Sequence, residues 1–393
     1  MKSVFSKSLF VAILVNCLFN LEVSAQFTQG RIVVLRSGDG TGALSSAATS
    51  MYLVEYDPAS PSAPTYTLAL PTTTSGSINR ITGSGTATSE GQLNLSANGN
   101  YLTVGGYDAA LGTASVNSST SNRVIMRVSS AGNLATTVFS NATHASGFRS
   151  VVTNDGSAYW TAGNPSGVNY FTHSGSTTAQ TATAVSTTST NNRTVSIYNN
   201  QLYVSTGSGT TGIYAVGSGL PTTTGITATN KISTNDAYAY VMLNRGGNNW
   251  NCYLVNSTTT IGVLKYSSTD NGATWTARGS VTTSAVYGIT AKVNGSNVEI
   301  YATTTTAILK LTDVAAFDAT ISATSSTLVS APTNTAFRGI AFAPAAPCTT
   351  PSITSITSNS PICAGSALNL QLSVGGSAAT AYSWTGPNSF TST

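Results

Sequence analysis

Three arginines recur at one position of a repeated pattern. They are Arg149 in FRSVVTNDGSAYWTAG, Arg193 in RTVSIYNNQLYVST and Arg338 in FRGIAFAP. A guanidinium stays charged and presents a planar fork of donors that matches carboxylates and sulfates two bonds at a time. Asp39 and Asp108 sit in two long Gly/Ser/Ala-rich segments, and Tyr107 and Tyr287 flank the repeats. Such a set could grip an acidic group and stack against a sugar. The arginines have a second reading, because a residue repeated in a repeat protein commonly serves the fold. It would then bond carbonyls of the neighbouring unit. Asp39 and Asp108, flanked by glycine and carbonyls, also suit calcium as hard oxygen ligands, although each loop carries one carboxylate and no DxDxD run occurs. Glycoside hydrolysis takes a pair of carboxyls, and the pairs on offer are Glu90 with Asp39 or Asp108. Glu299 alternates within VEIYAT and reads as a solvent-facing strand residue. His144 and His173 lack metal-ligand spacing and read as exposed or hydrogen-bonded polar residues. No GxSxG, P-loop or dinucleotide fingerprint is present.

These residues are positioned by a repeat of two strands about a tight turn. Asn154-Asp155-Gly156 aligns with Ala97-Asn98-Gly99, Asn199-Asn200 and Asn294-Gly295, each followed by a short apolar strand. Asn-Gly and Asp-Gly supply the positive φ that two-residue hairpins need. Working back from the turns, Arg149 aligns with Arg193, Gln92 and Gly288, and Arg338 falls at the same place. First strands are predicted to begin near residues 92, 149, 193, 238, 288 and 338. A period of about 45–57 residues is that of four-stranded propeller blades. The fold is therefore expected to be all-β: a β-propeller of six blades, or seven if residues 220–285 hold an extra one. Residues 338–344 supply a first strand with no partner after it, and RIVVLR (31–36) a second strand with none before it. MYLVEYD and TYTLALP follow. Pairing the two ends would complete one blade and remove the open edge. In such a ring the arginines should gather near the axis, on the face that also carries Asp39 and Asp108.

The chain has 393 residues, of which 7% are charged. Abundant Thr, Val and Tyr with so little charge suits strands rather than helices. Residues 1–25 read as a cleaved secretory signal, with Lys2 and Lys7, an apolar run Leu9–Phe19, and Val23-Ser24-Ala25. Cys17 follows Asn16, which is too large for lipoprotein processing. The mature chain would carry fourteen basic and eleven acidic residues, too even a balance to imply nucleic acid or an anionic membrane. Export to the medium or outer cell surface, no membrane insertion and a monomer are expected. Cys252 reads as a buried free thiol. Cys348 and Cys363 could bridge each other, or Cys363 could pair beyond residue 393.

Residues 268–275, STDNGATW, fit S-x-D-x-G-x-x-W. Ser268, Asp270, Gly272 and Trp275 thereby resemble the Asp-box turn of sialidases and other secreted propellers, which implies a structural hairpin. After the propeller (26–344) and a Pro-rich linker (345–351), residues 352–393 resemble Ig-like or PKD-like modules of secreted Bacteroidetes proteins. The pattern rests on Pro361, Cys363, Gly365, Tyr382, Trp384, Gly386, Pro387 and Phe390 and covers about half a module. It implies a partial Ig-like β-sandwich that continues past residue 393, with a type IX-like sorting signal. The RGIAFAP ending and GDGT…LSSAAT loop likewise resemble secreted Bacteroidetes propellers. Two functions are carried forward. One is non-enzymatic binding of a glycan or extracellular protein, as in adhesion. The other is a sialidase-like hydrolase or lyase. A purely structural envelope spacer is the third reading.

Overall fold

The computed structural model describes residues 26–258, 261–347, 352–359, 369–375, 384–386 and 390–392. The predicted signal segment, Cys17, Cys348, Cys363 and most of the expected C-terminal module lie outside these residues.

Six antiparallel four-stranded sheets follow one another along the chain. Blade 1 is built from both ends: Ala336–Phe342, Ile32–Ser37, Met51–Tyr56 and Tyr66–Ala69. Ile32 lies opposite Phe342, Val33 opposite Ala341 and Val34 opposite Ile340. The two ends thus complete one sheet, in which the strand from the chain's start pairs on both sides and the strand from its end is the inner edge. Blade 2 comprises Asn94–Leu95, Tyr101–Tyr107, Arg123–Ser129 and Leu134–Phe139. Blade 3 comprises Phe148–Val152, Ala158–Gly163, Val168–Thr172 and Thr183–Ser186. Blade 4 is Asn192–Tyr198, Gln201–Thr206, Gly212–Val216 and Ala228–Ser233, and blade 5 is Tyr240–Asn244, Trp250–Val255, Val263–Ser268 and Thr276–Val281. Blade 6 is Gly288–Asn294, Asn297–Thr303, Ala307–Asp313 and Ser325–Ser330. The count is six, and the described residues of 220–285 hold no extra blade.

Side chains alternate across each strand, so both faces of a blade must be covered. The core accordingly divides into six apolar layers, each shared by two successive blades. Val152, Trp160 and Val185 of blade 3 meet Val195, Val204 and Val216 of blade 4. Ile32, Val34 and Phe337 of blade 1 meet Tyr301 and Ile308 of blade 6, which makes the ring continuous. Cys252 is a buried free thiol in blade 5, and burial raises its pKa far above the ordinary thiol value. Glu55 is fully buried at the chain's start, where it accepts the Thr28 amide at 2.6 Å, the Thr65 hydroxyl at 2.6 Å and Arg31 at 3.2 Å.

We call upper the face where the chain passes into each inner strand and where second and third strands are joined. The hairpin turns lie on the lower face. The long upper loop of blade 1 meets two neighbours: its Ala48–Thr49 pairs with Gly83–Ser84 in the segment that leads into blade 2, and the Ala48 amide donates at 2.8 Å to the Thr113 carbonyl in the long upper loop of blade 2. Beyond the ring, Ser352–Ser358 pairs with Leu370–Gly375, and Trp384–Gly386 with Phe390–Ser392.

Candidate functional site

The repeated arginines reach from one blade to the next. Arg338 of blade 1 donates to the Gly85 carbonyl on the way into blade 2 at 2.6 Å and to its own neighbour Phe337 at 2.9 Å. Arg149 of blade 3 donates to the Asn192 carbonyl of blade 4 at 2.9 Å and to Asn191 Oδ1. Both are buried, and burial lowers each guanidinium to about 10, with repulsion from Arg193 adding to the effect at Arg149. Arg193 of blade 4 also points to the next blade but finds an aromatic face there, its guanidinium lying 4.5 Å over the Tyr238 ring. Among the described residues it makes no hydrogen bond or ion pair, and its Nε is buried without a partner, as is that of Arg149. Tyr287 packs edge-on against Tyr238 with ring centroids 5.4 Å apart.

Glu90 lies among these cations. It is 7% exposed, and its Oε2 has no hydrogen-bond partner. No cation comes within salt-bridge distance among the described residues. Burial pushes its carboxyl up to about 7, against the opposing pull of the Tyr107 phenol and of Arg149, Arg123 and Arg338. Tyr107 accepts the Phe148 amide at 3.1 Å, so its own proton is free for Glu90. Tyr107 is completely buried, which corrects the expectation that its ring faces a ligand.

Asp39 and Asp108 share the upper face but do not converge with the arginines. Asp39 is exposed and accepts the amide and hydroxyl of Thr41 at 2.9 and 2.7 Å, bonds that lower its pKa. Asp108 is paired with Arg80 at 2.7 Å. Neither forms the acid pair considered with Glu90. No group of three potential metal-ligating side chains occurs among the described residues.

Several residues differ from their sequence reading. Arg123 was not singled out, yet it is fully buried and donates to five carbonyls: those of Asn117, Ser119, Ser121, His144 and Ala145. Its only sequence signal is a charge opening the apolar strand RVIMRVS. His144 is hydrogen-bonded, one of its two readings, and fully buried. Its Nε2 is 2.9 Å from Thr161 Oγ1, its ring stacks on Phe148, and its Nδ1 has no partner. Burial, then Arg123 and Arg149, hold it down to about 3. His173 Nδ1 lies 3.0 Å from the Tyr159 hydroxyl. Glu299 is half-buried, not solvent-facing, and pairs with Lys292 at 3.2 Å. In the turn 268–275, Ser268 Oγ accepts the Gly272 amide at 2.9 Å, Asp270 accepts the Thr274 amide at 2.9 Å, and Trp275 Nε1 donates to the Gly272 carbonyl at 3.1 Å.

No family model matches the chain, and no curated protein is similar to it in sequence. Solved structures of similar form include the nidogen/laminin complex (TM-score 0.44, 11% identity, 80% of this chain and 98% of that one). A Bacteroides fragilis protein named for 6-phosphogluconolactonase activity gives a TM-score of 0.46 at 12% identity, over 79% of this chain and 98% of that one. The periplasmic gluconolactonase of Pseudomonas aeruginosa gives 0.39 at 13% identity, over 71% and 78%. The propeller is defined here by its own strand order. No helix among the described residues is long and apolar enough to cross a membrane.

Proposed function

We propose that the upper face of this propeller is a non-enzymatic recognition surface, outside the cell, for a carboxylate- or sulfate-bearing glycan. The observation that carries the reading is Arg193. Arg149 and Arg338 spend their donors on carbonyls of the next blade, whereas Arg193 is half-buried with its fork unused. Guanidinium donors pair bidentately with carboxylate and sulfate, and Tyr238 and Tyr287 beside it offer aromatic surface to a sugar ring. Arg149 and Arg338 brace this region through their bonds to the next blade. The hydrolase reading has no support from carboxyl placement, since Asp39 and Asp108 are engaged elsewhere.

A glycan array probed with the purified protein tests the proposal. Acidic glycans should be retained and Arg193→Ala should abolish their retention, while Arg193→Lys, which keeps the charge and loses the fork, should weaken it. Retention untouched by Arg193→Ala, or no preference for acidic over neutral glycans at the upper face, would sink it.

A further inference from the structure

Three Asn-Gly pairs occur in the chain, at 98–99, 271–272 and 294–295. Each lies between a first and second strand or a third and fourth one, and so on the lower face. Glycine has no Cβ to shield its nitrogen, so its amide can attack the preceding asparagine side chain unless something holds the two apart. In two pairs something does. The Gly99 amide donates to the Ser96 carbonyl at 2.9 Å, and Asn98 Oδ1 accepts the Ser96 hydroxyl at 2.7 Å and the Asn100 amide at 3.1 Å. Gly272 is buried and its amide donates to Ser268 Oγ at 2.9 Å, while Asn271 Oδ1 accepts Trp250 Nε1 at 2.9 Å and Asn199 Nδ2 at 3.2 Å. The third pair differs. Asn294, Gly295 and Ser296 are exposed, and the Gly295 amide makes no hydrogen bond among the described residues. Nothing lies within 4 Å of the place a Cβ on Gly295 would take. Asn294 is held only through Nδ2, which donates to Glu299 Oε1 at 3.1 Å. Arg245 of blade 5 fastens this tip by donating to the Ser296 carbonyl at 2.8 Å.

We propose that Asn294 is a site of spontaneous covalent modification, converted in the folded protein to aspartyl and isoaspartyl residues while Asn98 and Asn271 are spared. The Gly295 nitrogen gives its proton to solvent and bonds to Asn294 Cγ. The Cγ–Nδ2 bond breaks, and Nδ2 takes a proton from water and leaves as ammonia. Holding attacking nitrogen and carbonyl in one chain makes this ring closure unimolecular. Water then opens the five-membered imide. Attack at Cγ gives aspartate, and attack at the main-chain carbonyl carbon gives isoaspartate. In balance one water is consumed, one ammonia is released and nothing is oxidised or reduced. The product puts a carboxylate where Nδ2 had donated to Glu299, so two like charges meet at the hairpin. In the isoaspartyl form the chain also runs through Cβ and is one atom longer, at the residue paired with Asn297. That slackens the tip which Arg245 fastens to blade 5. The site is on the lower face and does not rest on the reading of Arg193.

Peptide mapping by mass spectrometry of the whole protein, kept at neutral pH and body temperature and sampled weekly, tests the proposal. The peptide holding Asn294 should gain the mass of amide turned to acid, and an isoaspartyl methyltransferase should label it. Asn98 and Asn271 should lag at least about 5-fold, the factor set by one hydrogen bond that must first break. A parallel sample in urea should lose this ranking, with all three asparagines converting at similar rates. Asn294→Gln, which could close only a six-membered ring, should abolish the gain at this tip and leave the other two sites as they were. The proposal is overturned if Asn294 persists in the folded protein while it converts in urea. It is equally overturned if Asn98 or Asn271 keeps pace with Asn294 in the fold, or if Asn294 leads by the same margin in urea, because the hydrogen bonds would then not decide the site.

Discussion

Gln92 donates its side-chain amide to the Tyr287 carbonyl at 2.9 Å, joining the segment that leads into blade 2 to the segment that leads into blade 6. Its backbone amide donates at 3.0 Å to the Arg149 carbonyl of blade 3. One residue therefore ties three blades together across the upper end of the axis, passing over the inner strand of blade 1. That crossing is close. The Gly339 amide donates to Gly91, and a Cβ on Gly339 would stand 2.1 Å from the Leu93 nitrogen.

Gln92→Ala should cost about 1–2 kcal/mol, the value of one partly buried hydrogen bond with its acceptor stranded. Gly339→Ala should cost more, at least about 3 kcal/mol, because the atoms it meets are backbone and cannot swing aside. Urea midpoints give both values. A Gly339→Ala protein as stable as the parent would mean that the segments do not cross here.

Much of the fold was legible in the sequence because turn chemistry is local. Asn-Gly and Asp-Gly fix hairpins within a few residues, and their spacing pointed to six blades, with a seventh left open in residues 220–285; the unpartnered strands at 31–36 and 338–344 pointed to the closure that the pairing of Ile32 with Phe342 shows. The arginine register was also visible, but the partners of the arginines were not. They depend on which carbonyl the next blade offers, and that follows from packing of residues about 40 positions away, as for Arg149 and Asn192. Glu90 could be found only as an acid without a mate. Its burial among Arg123, Arg149 and Arg338 arises from four segments distant in sequence. Asp39 and Asp108 misled for the opposite reason. They lie on the expected face, but local partners such as Thr41 and Arg80 engage them first.

Glu90 predicts a pH dependence of stability. Its carboxyl titrates near 7 in the fold against an ordinary value of 4.5, so the folded state holds the proton more tightly than the unfolded chain does. Ionised Glu90 therefore opposes folding. The penalty is absent below about pH 4.5 and complete above about pH 7, reaching about 3 kcal/mol. Glu90→Gln should gain on the parent between about pH 4.5 and 7 and hold that gain above it. A stability difference that does not change over that window would show that the carboxyl is ionised without cost.

His144 works at the other end of the scale. Its ring is held down to about 3 from 6.5, so the fold favours the neutral form. Protonation removes stability as pH falls from about 6.5 towards 3, by up to about 5 kcal/mol. His144→Asn suits the left-handed backbone there, φ 60°, because asparagine tolerates that region. It should be less stable than the parent at pH 7, since the stacking on Phe148 is lost. The gap should narrow or reverse by pH 4. Parallel stability curves for the two proteins from pH 7 to 4 would assign acid unfolding to other groups.

Lys265 and Asp313 form an ion pair at 2.8 Å between blades 5 and 6, and both side chains are almost entirely out of water. Burial works to raise the Asp313 pKa, but Lys265, the Ser322 and Ala315 amides and the Tyr253 hydroxyl outweigh it and leave it lowered. Removing one partner strands a buried charge, which costs about 3–5 kcal/mol. Lys265→Met should show that loss in a urea titration at pH 7. Adding Asp313→Asn removes the stranded charge and retains Oδ1 as acceptor for the Ala315 and Ser322 amides, at 3.1 and 3.0 Å in the parent. The new amide nitrogen stands where Oδ2 accepted Tyr253 at 2.8 Å, and a phenol can reverse its role and accept from it. The double variant should therefore recover most of what the single one loses. If Lys265→Met costs less than about 1 kcal/mol, a range typical of solvated surface pairs, water reaches this pair and the contact between blades 5 and 6 is looser than its geometry indicates.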